Sequence, residues 1–301
     1  MANLSGGCAW VRGDFVPARE ASVPVLDWGF LHSDATYDVV SVWDGAFFRL
    51  DDHLDRFEAS MAALRLDVQM DRAEIIDILE ACVVKAGLRH AYVEMIATRG
   101  LSAPGSRDPR SCSNAFMAFA IPYMWIADPE KQKIGLDARI TTINRIDPAS
   151  VDPTVKNYHW LDMTVALFEA YDHGNETAML TDGAGNIVEG PGFNIFTVKG
   201  DHVATPARGV LHGITRKTAM EVATKAGLNV AERAVSVDEV RAADEVFVSS
   251  TGGGFIPVTK INGQPVGDGT PGPITKDLTA RYWALHTDPA LSTPVNYDRA
   301  D

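Results

Sequence analysis

Cysteine, positive charge and long apolar runs are all scarce in this chain of 301 residues. The cysteines are three, Cys8, Cys82 and Cys112, far apart and without a C-x-x-C pair. That spacing excludes a disulfide framework or a zinc knuckle and predicts reduced thiols, as in a cytoplasmic protein. Lys and Arg number 27 against 40 Asp and Glu, a formal net charge of −13 with no basic stripe, so nucleic acid is not an expected partner. No apolar run reaches the length of a membrane span. The opening "MANLSGGCAWVRGDF" lacks a basic segment followed by an apolar one, so no signal peptide is expected. There is no internal repeat, no G-x-S-x-G, no Walker A loop and no H-E-x-x-H.

What the chain does have is the patterning of a folded α+β protein. Hydrophobic residues make up 46% and charged residues 22%, enough for a sizeable core in one large or two medium domains. "GGCAWVRGDFVP" and "SVWDGAFFRL" each place a glycine turn between apolar runs, a hairpin signal. "LDDHLDRFEASMAALRL" sets Leu54, Phe57, Met61 and Leu64 at helical spacing behind an acidic first turn. Asp51, Asp52, His53 and Asp55 are read as that helix start rather than as metal ligands. "DRAEIIDILEACVVKAGL" opens with Asp71-x-x-Glu74 and stops at Gly87. "AYVEMIATRG" reads as a strand with Tyr92, Glu94 and Ile96 on one face, and "NAFMAFAIPYM" as its partner. The polar stretch 126–134 is taken as a linker. Beyond it come a strand "LDARITTI", a helix "WLDMTVALFEAYDHG", hairpins in "ETAMLTDGAGNIVEG" and "GFNIFTVKGDHVATP", a helix "GITRKTAMEVATKAGL", and a strand–turn–strand "EVFVSSTGGGFIPVTKING". The expectation is an N-terminal α+β domain over 1–125 and a C-terminal one over 135–301, with a polar tail after Leu285 along a surface.

The stretch "VDPTVKNYHWLD" carries Lys156 at the mouth of an aromatic segment. Lysine becomes a covalent catalyst when desolvation or a neighbouring cation frees its amine to attack a carbonyl. Taken alone, the stretch leaves open whether Lys156 does this or is a solvated loop charge. Glu189, in "NIVEGPGFNIF", is open in the same way between a solvated turn carboxylate and a buried acid. Buried, it needs a cationic partner, and a pyridinium nitrogen is one. "LHGITRKTAM" places Gly213, Ile214 and Thr215 at a helix start, where backbone N–H groups and the helix dipole favour phosphate. "SSTGGG", with Ser250 and Thr251, is a second anion nest, and Arg56 is a candidate bidentate clamp.

The segments "RLDDHLDRFEAS", "VKNYHWLD", "IVEGPGFNIFTV", "GVLHGITRKTA" and "STGGGFIPVTKING" occur in the order seen in the class IV, fold-type-IV aminotransferases. The chain strongly resembles that family along nearly its full length. The resemblance implies a pyridoxal 5'-phosphate enzyme and a homodimer with active sites near the subunit interface. It makes Lys156 the Schiff-base lysine and Glu189 the partner of the pyridine nitrogen. Arg56, Ile214, Thr215 and Thr251 become the phosphate ligands. Within the family, "GFLHSDATYDVVSVWDGAFFRLDDHLDRFEAS", "YVEMIATRG" and "VEGPGFNIFTVK" look most like the (R)-selective amine transaminases. Branched-chain enzymes typically carry an arginine two residues after the aromatic of the Tyr92 strand, where this chain has Glu94. The expected activity is transfer of an amino group from an (R)-configured amine or D-alanine to a keto acid such as pyruvate. The alternative is a branched-chain or D-amino-acid aminotransferase, then a lyase or a non-catalytic member. By resemblance the pocket walls are His32, Tyr37, Val39, Tyr92, Glu94 and Trp160. Arg107, or failing that Arg110, would turn in from the loop "RGLSAPGSRDPRSCS" to hold a carboxylate.

Overall fold

The computed structural model describes residues 6–299, so the first five residues of the N-terminal stretch lie outside it. The chain divides into two compact units. One holds the chain up to Met124, the segment Val155–Tyr158 and the stretch from His286; the other holds Trp125–Thr154 and His159–Leu285.

In the first unit, β1 (Cys8–Val11), β2 (Asp14–Pro17), β3 (Ala35–Trp43), β4 (Ala46–Phe48), β5 (Ala91–Leu101) and β6 (Ser113–Pro122) form one antiparallel sheet. Both predicted hairpins form. Arg12 and Gly13 (φ 56° and 89°) and Asp44 and Gly45 (φ 48° and 79°) take the left-handed conformation that matches a two-residue turn to strand twist. The first turn is thus Arg12-Gly13, one residue earlier than the Gly-Asp signal suggested. Three helices accompany the sheet: α1 (Trp28–His32), α2 (Leu50–Leu64) and α3 (Arg72–Ala86). α3 has the expected capping box, Asp71 accepting from the Glu74 N–H and Glu74 from the Asp71 N–H, and it ends on Gly87 at φ 64°.

Period two sorts the strand residues. Val40, Val42, Val93, Met95 and Ala97 form the core with Leu54 and Phe57 of α2 and Leu79 and Val83 of α3. Burying each such side chain contributes about 1.5–3 kcal/mol. Tyr37, Val39, Tyr92 and Glu94 alternate with these and so lie on the opposite face.

The second unit begins with α4 (Pro129–Ile134) and β7 (Leu136–Asn144). The stretch read as a linker is therefore helical in part. Asp128 caps it by accepting from the Lys131 N–H at 2.8 Å, with Pro129 in the first turn. Next come α5 (Leu161–Asp172), β8 (Thr177–Thr181), β9 (Glu189–Gly190), β10 (Phe193–Lys199), β11 (His202–Pro206), α6 (Ile214–Lys225), β12 (Asn229–Arg233), α7 (Val237–Arg241), β13 (Glu245–Ser250), β14 (Gly254–Ile261), β15 (Gln264–Pro265) and α8 (Pro273–Ala284). The sheet is mixed, in the order β12-β11-β10-β13-β14-β7-β8, with β9 on β10 and β15 on β14. β7 runs parallel to both β8 and β14, with α5 as the crossover between β7 and β8. Its central strands β10, β13 and β14 are buried on both faces. Ile195, Val246, Val248 and Ile256 pack on one. On the other, Phe196, Phe247, Phe255 and Tyr282 of α8 form a run of ring contacts 4.7–5.7 Å apart.

Two boundaries differ from expectation. Lys156 was expected in the C-terminal domain, but its segment belongs to the first unit. The Lys156 carbonyl accepts from the Tyr37 N–H at 3.2 Å and from Thr36 Oγ1 at 2.6 Å, and Thr36 bridges Asn157 as an antiparallel pair. The tail also returns to the first unit, where β16 (Ser292–Pro294) pairs with β4. No helix among the described residues is long and apolar enough to cross a membrane.

Candidate active site

Lys156 is half-buried in the first unit. Its backbone is tied to β3 as above, and its N–H donates to Ser60 Oγ of α2 at 3.3 Å. Its Nζ lies 4.2 Å from the centre of the Tyr37 ring, a cation–π contact. The Tyr37 ring also stacks on Tyr158, with centroids 4.4 Å apart. Tyr158 Oη donates to Glu94 Oε1 at 2.7 Å. Glu94 is buried and its carboxyl is pushed upward: burial is the largest cause, opposed by the Tyr158 phenol, the charge of Lys156 and the Tyr92 phenol. Both phenols are in turn held well above their ordinary range by burial and by the Glu94 charge.

Arg56 stands on the other side of β3. Its Nε and Nη2 grip Asp38 at 2.7 and 2.8 Å, and His53 Nδ1 meets the same carboxylate at 2.7 Å. Burial works to raise the Asp38 pKa, but the Arg56 guanidinium, its hydrogen bonds and His53 hold it well below the usual range. Burial lowers that of His53. One edge of the proposed clamp is thus fixed by an acid that sequence reading passed over. The other acids at the helix start go separate ways, Asp52 to Arg49 at 2.9 Å and Asp55 to Arg72 at 2.7 Å.

The second unit carries the remaining candidates. Glu189 is buried on β9, with Oε1 accepting from Arg145 Nε at 2.9 Å and Oε2 from the Leu211 N–H at 2.9 Å. Arg145 also donates to Asp162 at 2.7 Å, and all three side chains are under a tenth exposed. Burial opposes the charge on Arg145, but Glu189 and Asp162 outweigh it and raise its pKa. Sequence reading supplied no partner for Glu189 within the chain, so Arg145 is new. Charge +1 on Arg145 and −1 on each of Glu189 and Asp162 leaves −1 in this buried triad. A pyridinium nitrogen on Glu189 balances that charge, so the donor set fits the ring of pyridoxal phosphate.

The phosphate end fits too. α6 is N-capped by Gly213 with no side-chain cap, which leaves the Ile214 and Thr215 N–H groups to an anion. A Cβ on Gly213 would come within 2.2 Å of Asn194 Oδ1, so the approach requires glycine. Thr251 begins the turn between β13 and β14, where Ser250 Oγ donates to the Gly192 carbonyl at 2.8 Å.

Of the predicted pocket residues, the first unit brings Tyr37, Val39, Tyr92 and Glu94 onto one sheet face. His32, at the end of α1, is exposed and meets Trp28 edge-on at 4.7 Å. Trp160 belongs to the second unit, at the start of α5, and packs on the cluster of Met163, Ala166, Ala170, Ala178 and Leu180. Arg107 is exposed on its loop. Arg110 pairs with Asp108 through Nε at 2.9 Å, within its own turn.

Comparison with known proteins bears on the whole chain. The family profile described as "Amino-transferase class IV" matches residues 35–261. A putative branched-chain-amino-acid aminotransferase of Methanocaldococcus jannaschii is 31% identical over 281 residues, 92% of this chain and 96% of that protein. The branched-chain-amino-acid aminotransferase of Escherichia coli K12 is 28% identical over 294 residues, 95% of each chain. A crystal structure of the E. coli enzyme superposes with a TM-score of 0.91 at 26% identity, covering 96% of this chain and 99% of that one. The T.th. branched-chain enzyme, solved with N-(5'-phosphopyridoxyl)-L-glutamate, gives 0.89 at 26% identity over the same shares.

Proposed function

The chain belongs to the class IV aminotransferases, and on that premise we propose that it moves an amino group between a branched-chain amino acid and a keto acid, with pyridoxal phosphate as cofactor. The observation that carries this reading is the match, along nearly the whole chain, to branched-chain enzymes in both sequence and fold. The cofactor supplies an electron sink for the bond broken at the substrate carbon.

The chain's own residues do the rest. Lys156 Nζ would hold the cofactor, and as a free amine it would take a proton from the substrate carbon as a general base and return it as an acid. Glu189, steadied by Arg145 and the Leu211 N–H, would hold a proton on the ring nitrogen. In the second unit Ile214, Thr215 and Thr251 would bind the phosphate, and the family resemblance gives Arg56 of the first unit, fixed by Asp38, the same task. A homodimer, implied by the family resemblance, accords with exposed apolar side chains such as Phe30 (69%) and Phe168 (62%).

One observation favours a second reading, an (R)-selective amine transaminase. Glu94 is buried on the sheet face shared with Tyr37 and Tyr92, where an acid repels rather than binds an α-carboxylate. In that reading Arg107, whose neighbour Arg110 is already paired, meets the keto acid from the loop.

The test is a donor panel of both enantiomers of leucine, alanine and 1-phenylethylamine with pyruvate and with 2-oxoglutarate. Preference for L-leucine supports the first reading, and preference for (R)-1-phenylethylamine the second. Arg107→Ala then reports on the carboxylate. In the second reading it lowers the pyruvate half-reaction about ten- to a hundredfold and spares the amine half-reaction. Borohydride reduction of the loaded protein must mark Lys156; a different marked lysine removes the assignment.

A further inference from the structure

The contacts around Lys156 say more than that it is reachable. We propose that Tyr158 is a positioning residue that holds the Glu94 carboxylate beside the Lys156 amine, and that this pair sets the pH at which the amine loses its proton. The catalytic weight of this inference rests on the reading of Lys156 as the cofactor lysine.

The geometry carries it. Tyr158 follows Lys156 by two residues, on a segment fixed to β3 by the Tyr37 N–H and Thr36 Oγ1. Its ring lies against Tyr37, the ring that Lys156 Nζ caps at 4.2 Å, and its hydroxyl is bonded to Glu94 at 2.7 Å. Glu94 stands on β5 opposite Val39, next to Tyr37 in β3, so the acid, the phenols and the amine share one sheet face.

The charge balance within this unit points the same way. Among the described groups of this unit, Glu94 and His53 feel the charge of Lys156, and Asp38, Arg56 and the phenols of Tyr92 and Tyr158 act on those two. Asp38 is matched by Arg56, and His53 bonds the same carboxylate. Glu94 is bonded by phenols, which carry no positive charge. Lys156 is then its counter-charge, and each favours the ionised form of the other. Tyr158, by donating to Glu94, keeps the acid oriented and stabilises its anion.

The sign follows. Removing the charge of Glu94 takes one negative charge from the surroundings of a half-buried ammonium, so the amine deprotonates at lower pH. Removing the Tyr158 hydroxyl weakens the anion without abolishing it, so the change has the same sign and is smaller.

The experiment titrates Lys156 chemically in the cofactor-free protein. The rate of cyanate labelling of the Lys156 peptide is followed by mass spectrometry from neutral to alkaline pH, against a free amine as internal standard. In Glu94→Gln the midpoint falls by about one pH unit, so that Lys156 labels about tenfold faster below both midpoints. Glu94→Asp, which keeps the charge, returns most of the shift. Tyr158→Phe falls between wild type and Glu94→Gln. A midpoint unmoved or raised in Glu94→Gln overturns the inference. Should that variant fail to fold by circular dichroism, an unmoved midpoint in Tyr158→Phe does the same. A borohydride adduct on another lysine would remove the functional reading and leave this titration standing. An adduct on Lys156 with unmoved midpoints would remove this inference alone.

Discussion

Two buried carboxylates, one in each unit, are held in opposite ways. Glu189 is clamped by the Arg145 guanidinium and a backbone N–H, and Arg145 is itself anchored by Asp162. Glu94 receives phenol hydroxyls, and the cation that favours its charge is the Lys156 amine. An acid locked by arginine keeps its charge and its place through a reaction cycle. An acid bonded to phenols and facing an amine changes its surroundings whenever that amine gains or loses a proton. The first arrangement suits a constant task, the second a task that alternates.

Breaking the clamp should cost most. Arg145→Met leaves Glu189 and Asp162 buried without their cation, a loss of about 3–5 kcal/mol in unfolding free energy, measured by denaturant titration. A loss under about 1 kcal/mol, the worth of an exposed pair, would show that water reaches the triad. Next comes Glu189→Gln, which keeps the shape and removes the charge. Turnover should fall about a hundred- to a thousandfold while cofactor remains bound, read by single-turnover kinetics and absorbance. Near wild-type turnover would take Glu189 out of the chemistry.

The acid limb of stability should come from α2 and β3. Burial lowers the His53 pKa, so the unfolded chain takes up its proton first, and stability declines as pH falls through about 6.5. Asp38 has the depressed pKa of a paired acid, so its contribution persists at that pH and is lost only as pH drops below about 4 towards its folded value. His53→Asn should therefore flatten the upper part of the acid limb in thermal melts and leave the lower part.

The smallest effect has the opposite sign. Glu94 is an acid whose folded pKa is raised, so its contribution is present at low pH and lost as pH rises through that value. Glu94→Gln should match wild type in acid and melt a few degrees higher above neutrality, an increment on the order of 1 kcal/mol. A lower melting temperature at alkaline pH would mean that the carboxylate is well compensated after all.

Local chemistry in the chain was readable where the bonds are local. The turn at Gly45, the Asp71–Glu74 box and the Gly213 helix start form as their residues suggest, and the turn at Gly13 is shifted by one residue. The 126–134 stretch misled because its composition is polar, although Asp128-Pro129-Glu130 is itself a helix-start signal. Longer-range partners left no local trace. Arg145 meets Glu189 across 44 residues, and Thr36 meets Lys156 across 120. Asp38 was not singled out in the sequence, because its partners His53 and Arg56 lie 15 and 18 residues further on, in the next helix. The order of the family segments identified the aminotransferase class, whereas no segment of it decided the substrate.

The first unit is sewn from three separate stretches of chain, and this has a consequence for its synthesis. When Met124 has emerged from a ribosome, β4 still lacks β16, and β3 lacks the segment that brings in Lys156. The nascent first unit must wait, with open hydrogen-bonding edges, for some 160 further residues to be made before His286 arrives. The later unit, whose two pieces end at Leu285, can close before its predecessor does. The segment that carries Lys156 is made well before β16 and can join β3 first, so the edge at β4 is the last part of this sheet to close.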